Sequence, residues 1–155
     1  MASEIERITR LLEKTFDKQP WYGSSIMETL SDIIPDIISK HQGETHSILE
    51  LVMHMTAWRQ FAIKRLQGDA DFEITEDLNF PVVGTWEEAI KNLQTSQRIL
   101  TDEVKKFSEN RLGDLVPSKR QKYTYYTLLH GIIQHDIYHL GQIALLKKSL
   151  SRSDA

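Results

Sequence analysis

The chain has 155 residues, of which 40% are hydrophobic and 26% charged, and this composition is typical of one globular domain over residues 1–155. Its formal net charge of -3 gives no basic face for nucleic acid, and without an apolar run of about 18 residues we expect no membrane span and a cytoplasmic protein. The absence of cysteine excludes a disulfide, a thiolate zinc site and a cysteine nucleophile, so any thiol chemistry requires a thiol that arrives with a substrate.

The first half of the chain predicts two long helices separated by short helical pieces. Apolar residues at helical spacing predict a helix over residues 4–18, and the turn residues Pro20–Gly23 interrupt the pattern. Residues 24–40 predict two short pieces, because Pro35 fits a first helical turn but not a helix interior. A strong apolar face then predicts a long helix over residues 45–66.

The acidic segment 67–85 is a long connection between this helix and the next. At about 3.3 Å per residue it covers about 60 Å, which is twice the length of a helix of about 20 residues. The helices on either side therefore need not be antiparallel neighbours, and the segment is long enough for a crossover connection.

The second half of the chain predicts two more long helices. The first covers residues 86–107 and begins behind the capping residue Thr85. After a loop at 110–122, the second covers residues 124–148, ahead of a tail that we expect to fray. No segment has the alternation of a strand. The predicted fold class is all-α, a four-helix bundle with short helices in the first connection.

Three histidines are placed to share one metal ion. His135 and His139 stand at i and i+4 in the last long helix, about 40° apart around its axis, so both project from the apolar face. His54 lies on the inward face of the second long helix. A single cation can accept the lone pairs of three neutral imidazoles, whereas three buried rings without a partner would leave those nitrogens unsatisfied. The spacing therefore predicts a metal site at His54, His135 and His139, whereas His130 is rotated about 140–180° away from the pair.

Two acidic residues lie close to the predicted ligands in sequence. Glu50 precedes His54 by one helical turn, and Asp136 directly follows His135 but points about 100° away from it. We expect both to orient or assist the site rather than to bind the metal. A site with two histidines and one carboxylate needs one of these acids, or another, as its third ligand.

Other metal chemistries fit the sequence less well. A di-iron centre needs paired Glu-x-x-His motifs, which the chain lacks, and a metallopeptidase needs glutamate where the chain has Asp136. His41 and His46 flank the start of a helix in a glycine-containing loop, so we expect them to be exposed. The basic residues 119–122 predict a solvated loop, with anion docking as the alternative.

Three sequence blocks resemble a known family. They are PWYGSS at residues 20–25, HSILELVMHMTAW at 46–58 and HGIIQHDIYHLGQIALLKK at 130–148. In this order they are similar to the DinB/YfiT-like superfamily. The resemblance implies a four-helix bundle in an up-down-down-up order, which agrees with a crossover in the acidic segment.

The same resemblance implies a metal triad with one histidine from the second long helix and two from the fourth. These positions fall on His54, His135 and His139. The resemblance further implies nickel or zinc as the metal and a homodimer as the assembly. Characterised relatives include thiol S-transferases that use bacillithiol or glutathione-type thiols, and a mycothiol-dependent maleylpyruvate isomerase.

The leading functional expectation is a metalloenzyme that transfers a low-molecular-weight thiol to a small-molecule substrate. A three-histidine site leaves an open position on the ion, where a thiol would lose its proton. The alternatives are a hydrolase that uses a metal-activated water, with Glu50 or Asp136 orienting it, and a non-catalytic metal-binding stress protein.

Overall fold

A computed structural model describes residues 1–81 and 84–153 and gives an all-helical chain, as the sequence predicts. The helices are α1 (Glu4–Asp17), α2 (Ile26–Leu30), α3 (Ile48–Leu66), α4 (Glu76–Asn79), α5 (Trp86–Lys106) and α6 (Tyr125–Ser153). Single 3-10 turns lie at Pro35–Ile37 and Glu109–Arg111. Within the described ranges, β pairing is limited to an isolated bridge between Leu115 and Thr124. No helix in these ranges has the length and apolarity needed to cross a membrane.

Reciprocal capping boxes start four of the helices. In each box the N-cap hydroxyl accepts a hydrogen bond from a backbone N–H one turn on, and a glutamate at that position accepts one from the N-cap N–H. The four boxes are Ser3–Glu6, Ser25–Glu28, Ser47–Glu50 and Thr85–Glu88. The third box moves the start of α3 to Ile48, three residues later than the sequence pattern predicts.

Two further details differ from the prediction. The tail does not fray over residues 149–153, because Leu150 is buried and extends the apolar face of α6 by another turn. The acidic connection contains the short helix α4, which begins behind Thr75. Val82 and Val83 of that connection lie outside the described residues.

The four long helices pack so that α1 and α3 each contact both α5 and α6. Their buried apolar residues form two clusters. Along α3 the first cluster ends at Met55 and the second begins at Ala62, and along α6 the boundary falls between Ile133 and Leu140. The helical turns between the clusters carry buried polar residues.

Candidate metal centre

His54 on α3 meets His135 and His139 on α6, as the helical spacing predicts. The Nε2 atom of His135 lies 3.0 Å from Nε2 of His54 and 3.1 Å from Nε2 of His139. One ligand atom from each residue lies within 4.8 Å of the other two. His54 and His139 are buried, with 5% and 7% of their surface exposed, and His135 is partly buried. Three imidazole nitrogens therefore converge on one point at the edge of the core.

The outer nitrogens of two rings fix which way the rings face. Nδ1 of His54 lies 2.6 Å from the backbone oxygen of Asn79, and Nδ1 of His139 lies 2.6 Å from Oε1 of Gln142. Because an amide oxygen only accepts, each Nδ1 carries the proton and donates it. Each Nε2 then presents a lone pair to the common point, which is the arrangement of metal-binding histidines.

The third ring has an incomplete environment. Nδ1 of His135 is buried and has no hydrogen-bond partner among the described residues, and Oδ1 of the neighbouring Asp136 also lacks one. These two atoms lie 4.0 Å apart. With a cation at Nε2, His135 would carry its proton on Nδ1, facing the carboxylate.

The spacing of the nitrogens fits a metal ion. Imidazole nitrogens bind zinc at about 2.0–2.1 Å, so two ligands about 90–110° apart on one ion are separated by about 2.8–3.4 Å, and the two distances from Nε2 of His135 lie within this range. Without a cation, lone pairs of His54 and His139 would both face His135, which has at most one proton to offer at Nε2. The three-histidine group can therefore hold a divalent metal.

Burial keeps the three rings neutral. Desolvation lowers the pKa of His54 and of His139, and it lowers the pKa of His135 to about 3, with further lowering from the other two rings and from Arg59. Neutral imidazole is the form that binds metal. All three side chains therefore have their lone pairs available near pH 7.

Asp136 is engaged in a buried ion pair. Its Oδ2 accepts hydrogen bonds from Nε and Nη2 of Arg59 at 3.1 and 2.6 Å, and both side chains are only 1% exposed. Burial raises the pKa of the Asp136 carboxyl, and the Arg59 guanidinium opposes that rise. This pair lies between the two apolar clusters and next to the histidine group.

Glu50 lies at the start of α3. Its Oε2 accepts the Ser47 N–H at 2.7 Å, and the same oxygen lies 3.7 Å from Nε2 of His41 and 3.8 Å from Nδ1 of His46. Both of these histidines are exposed, as expected. Glu50 thus serves the helix start. His130 lies apart from the group, with its ring on Tyr126.

Two residues of the acidic connection frame His54, and the sequence reasoning missed both. Phe80 stacks on His54 with ring centroids 4.1 Å apart, and Phe80 also stacks on His46 with ring centroids 3.6 Å apart. Asn79 accepts a hydrogen bond from Nε1 of Trp58 through its side chain while its backbone oxygen holds His54. Nothing in the helical periodicity indicates these contacts, because they depend on how α4 folds back onto α3.

A cavity of about 480 Å³ opens beside His135, which forms part of its lining. Trp58, Phe61, Leu128 and Ile132 supply apolar walls, and Trp58 lies 5.8 Å from the His135 ring. The cavity also reaches Arg120 in the basic loop. A volume of several hundred Å³ with mainly apolar walls is typical of a small-molecule site.

The sequence profile of the DinB superfamily matches residues 6–143. The chain belongs to the DinB superfamily. All three converging histidines of this DinB-superfamily protein lie within the matched span. No curated protein matches the chain.

A solved structure supports the same fold. The chain is similar to a DinB-like protein, YjoA, from Bacillus subtilis, with a TM-score of 0.54 and 20% sequence identity. The match covers 96% of this chain and 88% of that one. At this identity the similarity concerns the fold alone. The profile match over residues 6–143 is what confirms the family resemblance.

Proposed function

We propose that this DinB-superfamily protein is a metal-dependent enzyme that transfers a low-molecular-weight thiol to an electrophilic small molecule. The observation that carries the proposal is the convergence of three neutral imidazoles beside a cavity that His135 helps to line. His54, His135 and His139 would hold the metal, for which we propose nickel or zinc. A divalent cation bound there would favour the deprotonated form of a thiol at its open position.

The proposal includes the up-down-down-up order of the long helices. The backbone N–H of Glu4 donates to Glu109 just beyond the end of α5, which supports antiparallel α1 and α5. His130, near the start of α6, lies 3.7 Å from the same Glu4, which supports parallel α1 and α6. Tyr125 at the start of α6 donates to the backbone oxygen of Arg65 at the end of α3, which supports antiparallel α3 and α6.

The residues of the chain would position the reactants. Asn79 and Gln142 accept hydrogen bonds from the Nδ1–H groups of His54 and His139, and apolar side chains would hold the body of a substrate in the cavity beside them. Because the chain has no cysteine, the sulfur comes from a co-substrate. In the reaction a carbon–sulfur bond forms, the bond from that carbon to its leaving group breaks with the electron pair on the leaving group, and the thiol gives up its proton.

Two alternatives have less support. The hydrolase alternative gives Glu50 or Asp136 the role of orienting a metal-activated water, but Glu50 caps α3 and Asp136 is paired with Arg59. A non-catalytic metal-binding protein needs no cavity beside its metal, whereas this chain has one. Hydrolysis and binding without catalysis are therefore outcomes that the test must be able to reveal.

We also propose that the protein forms a homodimer in the cytoplasm. Tyr138 and Leu145 lie two turns apart on α6 and are 66% and 68% exposed, so they offer an apolar surface to a second copy. Light scattering on the wild type and on a Tyr138→Glu, Leu145→Glu variant tests the proposal, and a wild-type monomer at micromolar concentration overturns it.

The transferase activity is tested with a panel of thiols. Protein loaded with nickel or zinc is incubated with monochlorobimane and with bacillithiol, glutathione or cysteine, and conjugate formation is followed by fluorescence. We expect metal-dependent conjugation with at least one thiol, its loss in His54→Ala and His135→Ala, and its retention in His130→Ala. If no thiol gives a metal-dependent conjugate, thiol transfer is overturned, and ester hydrolysis is assayed next.

The metal site is tested separately by metal content. We expect purified wild-type protein to retain close to one equivalent of metal and both ligand variants to lose it. Unchanged metal content in both variants overturns the assignment of the three histidines.

A further inference from the structure

The cavity beside His135 has a non-uniform lining. Aromatic and branched side chains line it on the side of the two helices, with Trp58 and Phe61 from α3 and Leu128 and Ile132 from α6, and the Trp58 ring lies 5.8 Å from that of His135. None of these four offers a charge to an occupant. The part of a ligand that lies nearest the histidines must therefore be apolar, since a charged group there would lose its hydration without compensation.

The loops that border the cavity carry charged residues, of which Glu73 and Arg120 line it while Asp71 and Lys119 lie close to lining residues in sequence. Glu73 lines the cavity but lies 3.0 Å from the buried guanidinium of Arg65. Lys119 lies 2.5 Å from Asp71 across two loops. Within each pair the positive and negative charges cancel, so neither pair offers net charge to a ligand.

Arg120 is the exception among the lining residues that the structure describes. Its guanidinium makes no hydrogen bond or ion pair with any described residue, although its backbone N–H donates to Oγ of Ser118. Ser118 also accepts the N–H of Gln121, so the turn that carries Arg120 is held by two hydrogen bonds from one hydroxyl. The cavity thus combines apolar walls from the helices with one exposed guanidinium that has no partner among the described residues.

We propose that the cavity binds the electrophilic substrate and that this substrate is a compact amphiphile with an apolar body and a single carboxylate. Arg120 is the residue that selects the carboxylate, because a guanidinium matches the two oxygens of a carboxylate in one plane. The apolar body lies between Trp58 and Leu128 and brings the reactive carbon toward His135. The inference rests on the proposed function for the reaction, but the binding itself requires neither metal nor thiol.

The lining also assigns the cavity to the electrophile rather than to the thiol. Glutathione and bacillithiol carry several charged groups, and the apolar walls provide partners for none of them. The single guanidinium of Arg120 can pair with one anionic group of a ligand. The thiol therefore approaches the histidines from outside this cavity.

The test compares three probes that share one apolar body. 4-Phenylbutanoate, 4-phenylbutanol and 4-phenylbutylamine are titrated into metal-free protein, and binding is followed by calorimetry and tryptophan fluorescence. We expect the acid to bind about tenfold more tightly than the alcohol, and the amine to bind most weakly, because a hydrogen bond to a charged group supplies at least this factor. Arg120→Gln removes the preference for the acid.

Two variants complete the design. Lys122→Gln removes a cation from the same loop that does not line the cavity, and we expect it to leave the preference intact. Leu128→Gln places a polar side chain in the apolar wall, and we expect it to lower the binding affinity of all three probes by a similar factor. Equal affinities for the three probes, or an acid preference that survives Arg120→Gln, overturn the inference.

The outcome is separable from that of the proposed function. If the protein conjugates a thiol but binds the three probes equally, only the substrate assignment is overturned. If the protein selects the acid through Arg120 but forms no conjugate, only the transferase proposal is overturned. Acid binding that appears only after metal loading and ignores Arg120→Gln places the carboxylate on the metal and also overturns the inference.

Discussion

Two buried polar systems lie side by side on the same pair of helices, and they differ in what completes them. Arg59 and Asp136 pair opposite charges through two hydrogen bonds within the core. One residue before Asp136, His135 meets His54 and His139, and all three present nitrogens of the same kind to one another. The two charges of the ion pair are matched within the chain, although Oδ1 of Asp136 and Nη1 of Arg59 have no hydrogen-bond partner among the described residues. The histidine group is completed only by something the chain does not supply.

This difference separates a structural polar contact from a ligand site. Burial alone does not distinguish them, since both sets lie at the boundary between the two apolar clusters. Removing one member of an ion pair leaves a buried charge uncompensated, whereas removing one member of the histidine group relieves the crowding of lone pairs. In the metal-free protein, substitution should therefore lower the free energy of unfolding much more in the ion pair than in the histidine group.

The largest expected effect comes from breaking the ion pair. Arg59→Met leaves the carboxylate of Asp136 buried without its partner, and we expect the free energy of unfolding to fall by about 3–5 kcal/mol. Urea denaturation of metal-free protein measures this change. The double variant Arg59→Met, Asp136→Leu should recover most of the loss, and Lys64→Met on the exposed side of α3 is the control. A loss below about 1 kcal/mol in Arg59→Met contradicts the structural role of the pair.

The next effect concerns a ligand. His54→Ala should lower metal affinity by more than about 100-fold, because substituting a residue that only orients a metal ligand already lowers the affinity by about 10–100-fold. Competition with a chromophoric chelator measures this affinity. The same variant should change the stability of the metal-free protein much less than Arg59→Met does. Equal destabilisation by the two substitutions would mean that the histidines serve the fold.

A smaller effect is expected outside the ligand set. Gln142→Leu removes the acceptor of the His139 Nδ1–H, and we expect metal affinity to fall by about 10–100-fold. Gln134→Leu is the matched control, since it is an exposed glutamine on the same helix. If both variants bind metal equally, the hydrogen bond does not orient the ring.

The smallest effect is a pH dependence of the metal-free protein. Burial lowers the pKa of His135 from 6.5 to about 3, so the unfolded chain takes up this proton first as the pH falls. The contribution of His135 to stability is therefore complete above about pH 6.5 and is lost progressively toward pH 3. Between about pH 7 and 5.5 we expect a loss of roughly 1 kcal/mol, measured by urea denaturation, and a weaker dependence in His135→Asn. Stability that rises on acidification contradicts the prediction.

Much of the fold was predictable because its signals are local. The boxes at Ser25–Glu28 and Thr85–Glu88 mark helix starts within four residues of sequence, and the apolar faces repeat at helical spacing. His54, His135 and His139 were predictable for the same reason, since each lies on a face whose direction the periodicity defines. The end of α6 was not, because the helix continues where Leu150 finds a place in the core.

The contacts around the site were less predictable because they join distant parts of the chain. Asp136 stood out as a neighbour of a ligand, but its partner Arg59 lies 77 residues away and carries no signal of its own. Asn79, Phe80 and Arg120 lie in connections, where periodicity gives no direction. Their roles depend on loop paths that only the folded structure defines.

The order in which the chain is made has a consequence for the histidine group. The hydrogen-bond acceptor of His54 comes 25 residues later in the sequence, and His135, whose Nε2 lies 3.0 Å from that of His54, comes 81 residues later. The ribosome must therefore synthesise α3, α5 and the segments between them and α6 before the second and third nitrogens exist, and the group forms only after α6 has emerged. Nascent chains that lack α6 cannot bind metal through this group. Metal binding therefore marks a chain in which α3 and α6 have both been made and packed together, and a product truncated ahead of α6 lacks two of the three ligands.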